Sequence, residues 1–349
     1  MNIRNQSINL LKFIAMILVI LIHCKFPGNF GILVKNFASC AVPMFFMISG
    51  YFSFETEINR ISFRMKRLLR DLIWANLFYL IWDIWYEYEM QRSIVSFLQY
   101  VFSVKRALVM LLFNESPVRG HLWYLGAILY CYLFFYILLK IKRKNSVKNI
   151  EPPILLIGAI ILVIGNICGF YLLQYVGMSD KTAFLLRNWI FDGLPFYMLG
   201  MYIKSREEVI RSISGTIIKL LFIVSLIINL GEIHFIQTEN VIYISTAFLC
   251  IAAFSLALQN SDKQTYGWVI ILGDFADRYG LLFYIIQVAV IKSVFVALRG
   301  YSLSQSLLYA WIYPVLSILL TGVIAVTVKM IINRVHRSRE SRENYVKKY

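Results

Sequence analysis

The sequence predicts an all-α, polytopic membrane protein of about ten transmembrane helices with both termini cytoplasmic. Three observations carry this reading. The chain has 349 residues, 59% of them hydrophobic, and its mean hydropathy is +0.68. Charged residues make up only 15%, against a soluble average of about 25%. Apolar runs of roughly 20 residues recur, each long enough as a helix to cross the hydrocarbon of a bilayer.

In chain order the expected spans are 8–25, 33–54, 70–88, 121–140, 153–173, 184–203, 214–230, 240–259, 279–297 and 307–331. Orientation follows from the basic residues in alternate connections. One set holds Arg4, the run from Arg60 to Arg70, the run from Lys140 to Lys148, Lys204, Arg206, Arg211 and the tail from Arg334 to Lys348. The other set is poorer, with Lys35, Arg92, Lys105, Arg106, Arg119, Lys181, Arg187 and Arg299. The richer set is placed in the cytoplasm. Residues 1–332 then form one membrane domain, and 333–349 a basic cytoplasmic tail that is expected to be loosely ordered. The apolar stretch Ile94–Phe113 carries Lys105 and Arg106 near its middle and reads as interfacial or re-entrant.

Composition also excludes some classes. The net charge of +16 does not point to nucleic acid, because the cations cluster in short loops and the tail between apolar runs. Five cysteines lie scattered through apolar runs without metal-ligand spacing, so no metal site is expected. No cleavable signal is expected at the N-terminus, since Lys12 interrupts the first apolar run.

Two ionisable residues interrupt the first span, Lys12 and His23. Such residues at membrane depth are rare and face a protein interior or a wet cavity. The two are eleven positions apart, so on a helix they lie about 20° apart in angle and about 16 Å apart along the axis. The plainer account is snorkelling for Lys12 and an interior hydrogen bond for His23. Their shared face favours a site, and an imidazole suits general-base work on a hydroxyl. Arg60, Arg64 and Arg67 follow i, i+4, i+7 spacing, and clustered Arg side chains bind phosphate through forked donors. Ordinary loop charge is the competing account for that cluster. His121 and Trp123 open the fourth span at the depth of His23, where interfacial belt residues are also common. Asp83 and Asp192 are further acids within spans, and Asp192 is expected to pair with Arg187. Asp274, Asp277 and Arg278 are expected in a solvated turn before the ninth span.

Taken together these stretches resemble the type 3 membrane acyltransferase family, best over the first four spans. The resemblance rests on Lys12 to His23, on Phe45-Phe46-Met47-Ile48-Ser49-Gly50-Tyr51, and on Arg67-Leu68-Leu69-Arg70. It rests also on His121-Leu122-Trp123-Tyr124-Leu125 and, more weakly, on Leu194–Gly200. Departures are Asp71-Leu72 where a Pro often follows the Arg pair, and Gln287 where Tyr284-x-x-His is common. Ala127 and Ile128 stand where one subgroup has a Glu.

The resemblance implies a bacterial plasma-membrane O-acyltransferase. It would move an acyl group, in the first place acetyl, from cytoplasmic acyl-CoA to a hydroxyl of a surface polysaccharide or its lipid-linked sugar precursor. No bound cofactor is implied, and acetyl-CoA is a co-substrate. His23 is then the catalytic base; Lys12, Arg67 and Arg70 bind the donor; Ser49, Gly50, His121 and Trp123 line the acceptor pocket. The alternative is a transporter or flippase for a glycolipid or small acid that uses Lys12, His23 and Asp192 as a charge path.

Overall fold

A computed structural model describes residues 5–177, 185–236, 244–260, 266–299, 301 and 306–346. The described residues form helices and no strand, with one isolated bridge between Glu57 and Ser146. The helices are α1 (Gln6–His23), α2 (Gly28–Ala38), α3 (Ala41–Tyr51), α4 (Ile58–Glu89), α5 (Ile94–Val101), α6 (Val104–Phe113) and α7 (Trp123–Ile141). There follow α8 (Pro152–Tyr175), α9 (Leu194–Ser205), α10 (Glu207–Ser212), α11 (Gly215–Ile236), α12 (Ile244–Gln259), α13 (Gly267–Leu298) and α14 (Leu307–Val346).

Among the described residues seven helices, with α2 and α3 counted as one, are long and apolar enough to cross a membrane, or eight if α5 and α6 make one broken span. Three expected spans are helices of another kind. The span 70–88 lies within α4, where Asp71, Asp83 and Glu87 lower its hydropathy. The span 184–203 is a π-helical turn, Trp189–Gly193, followed by the 12-residue α9. Of the span 240–259, residues 240–243 lie outside the described residues and the rest is α12, with 16 residues. The expected re-entrant stretch is α5 and α6, which bend by 47° at their junction.

α13 starts well before the expected 279, and the reason is its contact with α1. A Cβ on Gly273 would meet Gln6 and Asn9, and one on Gly280 would meet Met16 and Lys12. Glycines two turns apart thus let the two helices approach closely along parallel courses. Asp274, Asp277 and Arg278 therefore ride on a helix beside the start of α1 rather than on a solvated turn. Gln6 donates to Asp274, and Arg278 lies 3.5 Å from the same carboxylate. α14 likewise continues as helix through Val346, where a loosely ordered tail was expected. That segment is rich in Arg and Glu, which are good helix formers.

The core falls into two clusters. The larger joins α3, α7, α9 and α12 around Phe46, Phe135, Phe196, Tyr197 and Phe254. The smaller packs Met16 and Ile20 of α1 against Phe283 and Val290 of α13 and Ala325 of α14. α1 contributes to both. Outward faces carry bare aliphatics, such as Ile157, Ile161, Leu220, Ile227, Leu319 and Val323. In water such faces would aggregate, whereas lipid solvates them. α3 and α9 are held by a reciprocal contact. A Cβ on Gly50 would fall 1.9 Å from the Tyr197 carbonyl oxygen, and one on Gly200 would fall 2.0 Å from that of Met47.

Candidate active site

α1 is one unbroken helix, so Lys12 and His23 keep the shared face and the separation of about 16 Å that their spacing requires. A cavity opens at each of them. The first, about 770 Å³, lies at the end of the bundle formed by the start of α1, the end of α3, the start of α4 and α10. Lys12, Arg64, Lys204 and Arg211 line it, together with Glu55, Glu207 and Asp277. The second, about 320 Å³, is lined by His23, His121, Trp123, Asn166, Arg187 and Asp192 among others. Phe45 and Tyr124 border the first cavity, and Tyr284 borders the second. Their rings form a partition, with centroids 5.8 Å apart for Phe45 and Tyr124 and 5.5 Å apart for Tyr124 and Tyr284.

In the basic cavity the charges are cross-braced. Lys12 Nζ lies 3.8 Å from Asp277 Oδ1. Glu207 accepts from Tyr51 Oη at 2.7 Å, Lys204 Nζ at 2.8 Å and Arg211 at 2.7 and 2.9 Å. Burial pushes the Glu207 carboxyl up, but the hydrogen bonds from Lys204, Tyr51 and Arg211 outweigh it and hold the group below the usual glutamate range. Arg64 donates to the Phe52 carbonyl and to Ser53 Oγ, each at 3.2 Å. Four cations around one cavity, three acids among them, suit a ligand carrying several negative charges better than a neutral one.

In the histidine cavity the two imidazoles differ in how they are held. His121 Nε2 is 3.3 Å from the Ile285 carbonyl oxygen. A carbonyl only accepts, so this nitrogen carries a proton, and in the neutral ring the lone pair lies on Nδ1. Tyr284 Oη donates to the His121 carbonyl, and Tyr79 packs edge-on against the imidazole at 4.9 Å. Tyr79 Oη also donates to Ile285 O at 2.6 Å and accepts from Ala289 N at 3.1 Å. It thereby bridges the carbonyl and amide that a regular turn of α13 joins directly.

The loop before His121 is pinned by a fork between Arg119 and Asp83, whose carboxylate is 1% exposed. The Arg119 guanidinium also covers Trp82 at 5.3 Å and Tyr86 at 5.4 Å. Asn114 ties the same loop to two other elements. Its Nδ2 donates to Trp123 O at 3.0 Å, and its Oδ1 accepts from Trp189 N at 2.8 Å. Asn188 caps the π-turn by accepting from Ile190 N and Phe191 N, and Asn166 donates to Phe191 O.

The site residues expected from sequence separate as follows. Lys12 and Ser49 line the basic cavity; His23, His121 and Trp123 line the other. Gly50 lines neither, because it packs on α9. Arg67 and Arg70 are about two-thirds exposed and turn toward Asp71, at 4.0 and 3.0 Å. Arg64, from the same helical face, is the Arg of that run that borders the cavity. Asp192 makes no ion pair with Arg187 among the described residues, and Arg187 instead lies 5.8 Å from the Trp123 ring. Lys204 and Arg211 were legible in sequence only as loop charge and Glu207 was not singled out, although their i, i+3, i+7 spacing puts the three on one face. Gln287 is fully buried, and neither of its amide atoms has a hydrogen-bond partner among the described residues.

The described residues thus form a helical bundle with a cation-lined chamber and a histidine-lined chamber along one face of α1. A family described as an acyltransferase domain matches residues 5–333. The chain belongs to this acyltransferase 3 family, as the resemblance anticipated. It is 25% identical over 285 residues to a serine/alanine racemase of Enterococcus gallinarum. That match takes in 75% of this chain but only 38% of the racemase. No solved structure matches the chain.

Proposed function

We propose that this protein is a bacterial plasma-membrane O-acetyltransferase. It takes acetyl from cytoplasmic acetyl-CoA and places it on a hydroxyl of a surface polysaccharide or of its lipid-linked precursor. The observation that carries the reading is the pair of unlike chambers at the two ends of one face of α1. The basic chamber, held to face the cytoplasm, receives the phosphates of CoA on Lys12, Arg64, Lys204 and Arg211, with Arg67 and Arg70 at its approach. The acyl-bearing arm runs along α1 past Phe45, Tyr124 and Tyr284, and this partition parts to let it through. The thioester then meets the acceptor at His23.

His23 takes the proton of the acceptor hydroxyl as its oxygen attacks the thioester carbonyl. The carbon–sulfur bond breaks, the ester forms, and the proton passes to the departing CoA thiolate. His121, with Nε2 committed to Ile285, orders the neighbouring ring.

The test uses detergent-purified protein, radiolabelled acetyl-CoA and cell envelopes from a strain deleted for the gene. Base-labile label should enter envelope glycan with the wild type and not without protein. Label that stays in acetyl-CoA would remove the reading. In cells, ten spans with both ends inside require reporter fusions at Lys144 to read cytoplasmic and at Arg106 external.

A further inference from the structure

We propose that Asp192 binds the acceptor, and that it holds two neighbouring hydroxyls of a sugar whose reacting hydroxyl faces His23. This deepens the acetyltransferase reading and rests on it.

Asp192 lies in the π-helical turn Trp189–Gly193 and borders the histidine cavity. The residue is only 6% exposed, yet its Oδ1 is buried with no hydrogen-bond partner among the described residues. A buried acid without a partner is costly, and folds keep such groups where a ligand completes them. The turn's other polar groups are spent on one another. Asn188 O accepts from the amides of Asp192 and Gly193, the Asn188 side chain accepts from Ile190 and Phe191, and Asn166 Nδ2 donates to Phe191 O. Only the carboxylate is left over.

Its position is rigid. A Cβ on Gly193 would stand 3.0 Å from Phe46 and 3.3 Å from Cys131 Sγ, so the turn is wedged against α3 and α7. Single π-turns within helical runs are uncommon and gather at functional sites.

The chemistry of the ligand follows from that of the carboxylate. Two O–H donors from a ligand would favour the ionised carboxylate, which accepts only and takes one donor on each oxygen. Vicinal hydroxyls of a pyranose present such a pair, whereas a phosphate or sugar acid in the same place would be repelled. The face of the ring turned to Asp192 therefore carries hydroxyls and no anion, while Arg187 of the same cavity lies by the Trp123 ring.

The experiment varies, one at a time, acetyl-CoA and envelopes from the deletion strain, with wild type and Asp192→Asn. We expect Asp192→Asn to raise the half-saturating amount of envelope at least about tenfold, since hydrogen bonds to a charged group are lost. The half-saturating acetyl-CoA should not move, and the melting temperature should stay or rise, because a buried acid without a hydrogen-bond partner among the described residues has been removed. Three outcomes overturn the proposal. Unchanged envelope dependence shows that Asp192 does not touch the acceptor. A lower maximal rate at unchanged half-saturation shows that it acts on His23 instead. A fall in melting temperature with loss of both dependences shows a structural role. No transfer by the wild type would remove the acetyltransferase reading itself, which is a separate result.

Discussion

The imidazoles of His23 and His121 meet edge to face, with centroids 6.0 Å apart and planes at 77°. Their surroundings assign them different work. His121 is 8% exposed and spends Nε2 on a backbone carbonyl of α13, while His23 lies open to the cavity. In the proposed reaction the open ring, His23, is the one that takes the proton from the substrate.

His23→Ala is expected to reduce transfer by about 10²–10⁴-fold while the protein still inserts and keeps its melting temperature. His121→Gln should cost less, and it should retain acetyl-CoA dependence. Near-normal acylation of glycan by the His23 variant would leave His23 without a catalytic role. Mass spectrometry of released glycans reads both variants.

The basic cavity separates two sets of arginines. Arg64→Ala and Lys204→Met are expected to weaken CoA binding, each by about tenfold, because each removes a cation facing the cavity. The double variant Arg67→Ala/Arg70→Ala should have the smaller effect, since both side chains are exposed and turned to Asp71. Calorimetric titration with CoA decides. The reverse order would place the phosphates on Arg67 and Arg70.

Glu207 supplies a pH test. Its carboxyl is held below the usual range, so the ionised form is favoured by folding. Its contribution is present above the ordinary glutamate pKa of about 4.3 and is lost as pH falls through the lower folded value. Glu207→Gln should be less stable than wild type near neutrality, and the gap should close as pH falls below that range. A gap that does not change with pH would mean that Lys204, Tyr51 and Arg211 do not favour the charged form. Thermal melts across the acid range measure it.

Much of this was legible in the sequence. Lys12 and His23 were readable because helical geometry converts their spacing directly into a shared face. Spans rich in aliphatics were readable by length. The span 184–203 was not, because Asn188 and the π-turn depend on Asn114 and Asn166, far off in the chain. The start of α13 was hidden for a similar reason. Gly273 and Gly280 read as helix weakeners until α1 is seen to lie against them. Among Arg64, Arg67 and Arg70, spacing alone cannot say which side chain faces a cavity, since that depends on where α3 and α10 pack. Gly50 in its Ser49-Gly50 motif resembled a pocket residue, and its reason is backbone contact with α9.

That contact makes a stability prediction. Gly50→Ala and Gly200→Ala each drive a Cβ into a facing backbone carbonyl, which has no rotamer by which to yield. Each should destabilise by about 3 kcal/mol or more, at the top of the overpacking range. Lower expression and lower melting temperature are expected for both. The double variant should cost less than the sum, because a first displacement of α9 already makes room for the second. Full additivity would mean that the two glycines act at independent contacts.

Lys12 distinguishes an acyltransferase from a transporter working through the same charges. As a donor cation, Lys12 needs a positive charge at its depth on α1, about 16 Å from His23. It has a partner for that charge in Asp277, at 3.8 Å. Lys12→Arg should then keep much of the activity, since Gly280 carries no Cβ where one would stand 3.5 Å from Lys12 Cε. Lys12→Met has similar length and no charge, and it should lose activity chiefly as weakened use of acetyl-CoA. A transporter would instead need Lys12 to release its proton during the cycle, as buried lysines are able to do. Arg does not deprotonate in proteins, so Lys12→Arg would be as inactive as Lys12→Met. Asp277→Asn adds a control: it leaves Lys12 charged and frees it for phosphate, so acetyl-CoA use should persist. An inactive Lys12→Arg in protein that is inserted and melts normally would count against the donor role and favour transport.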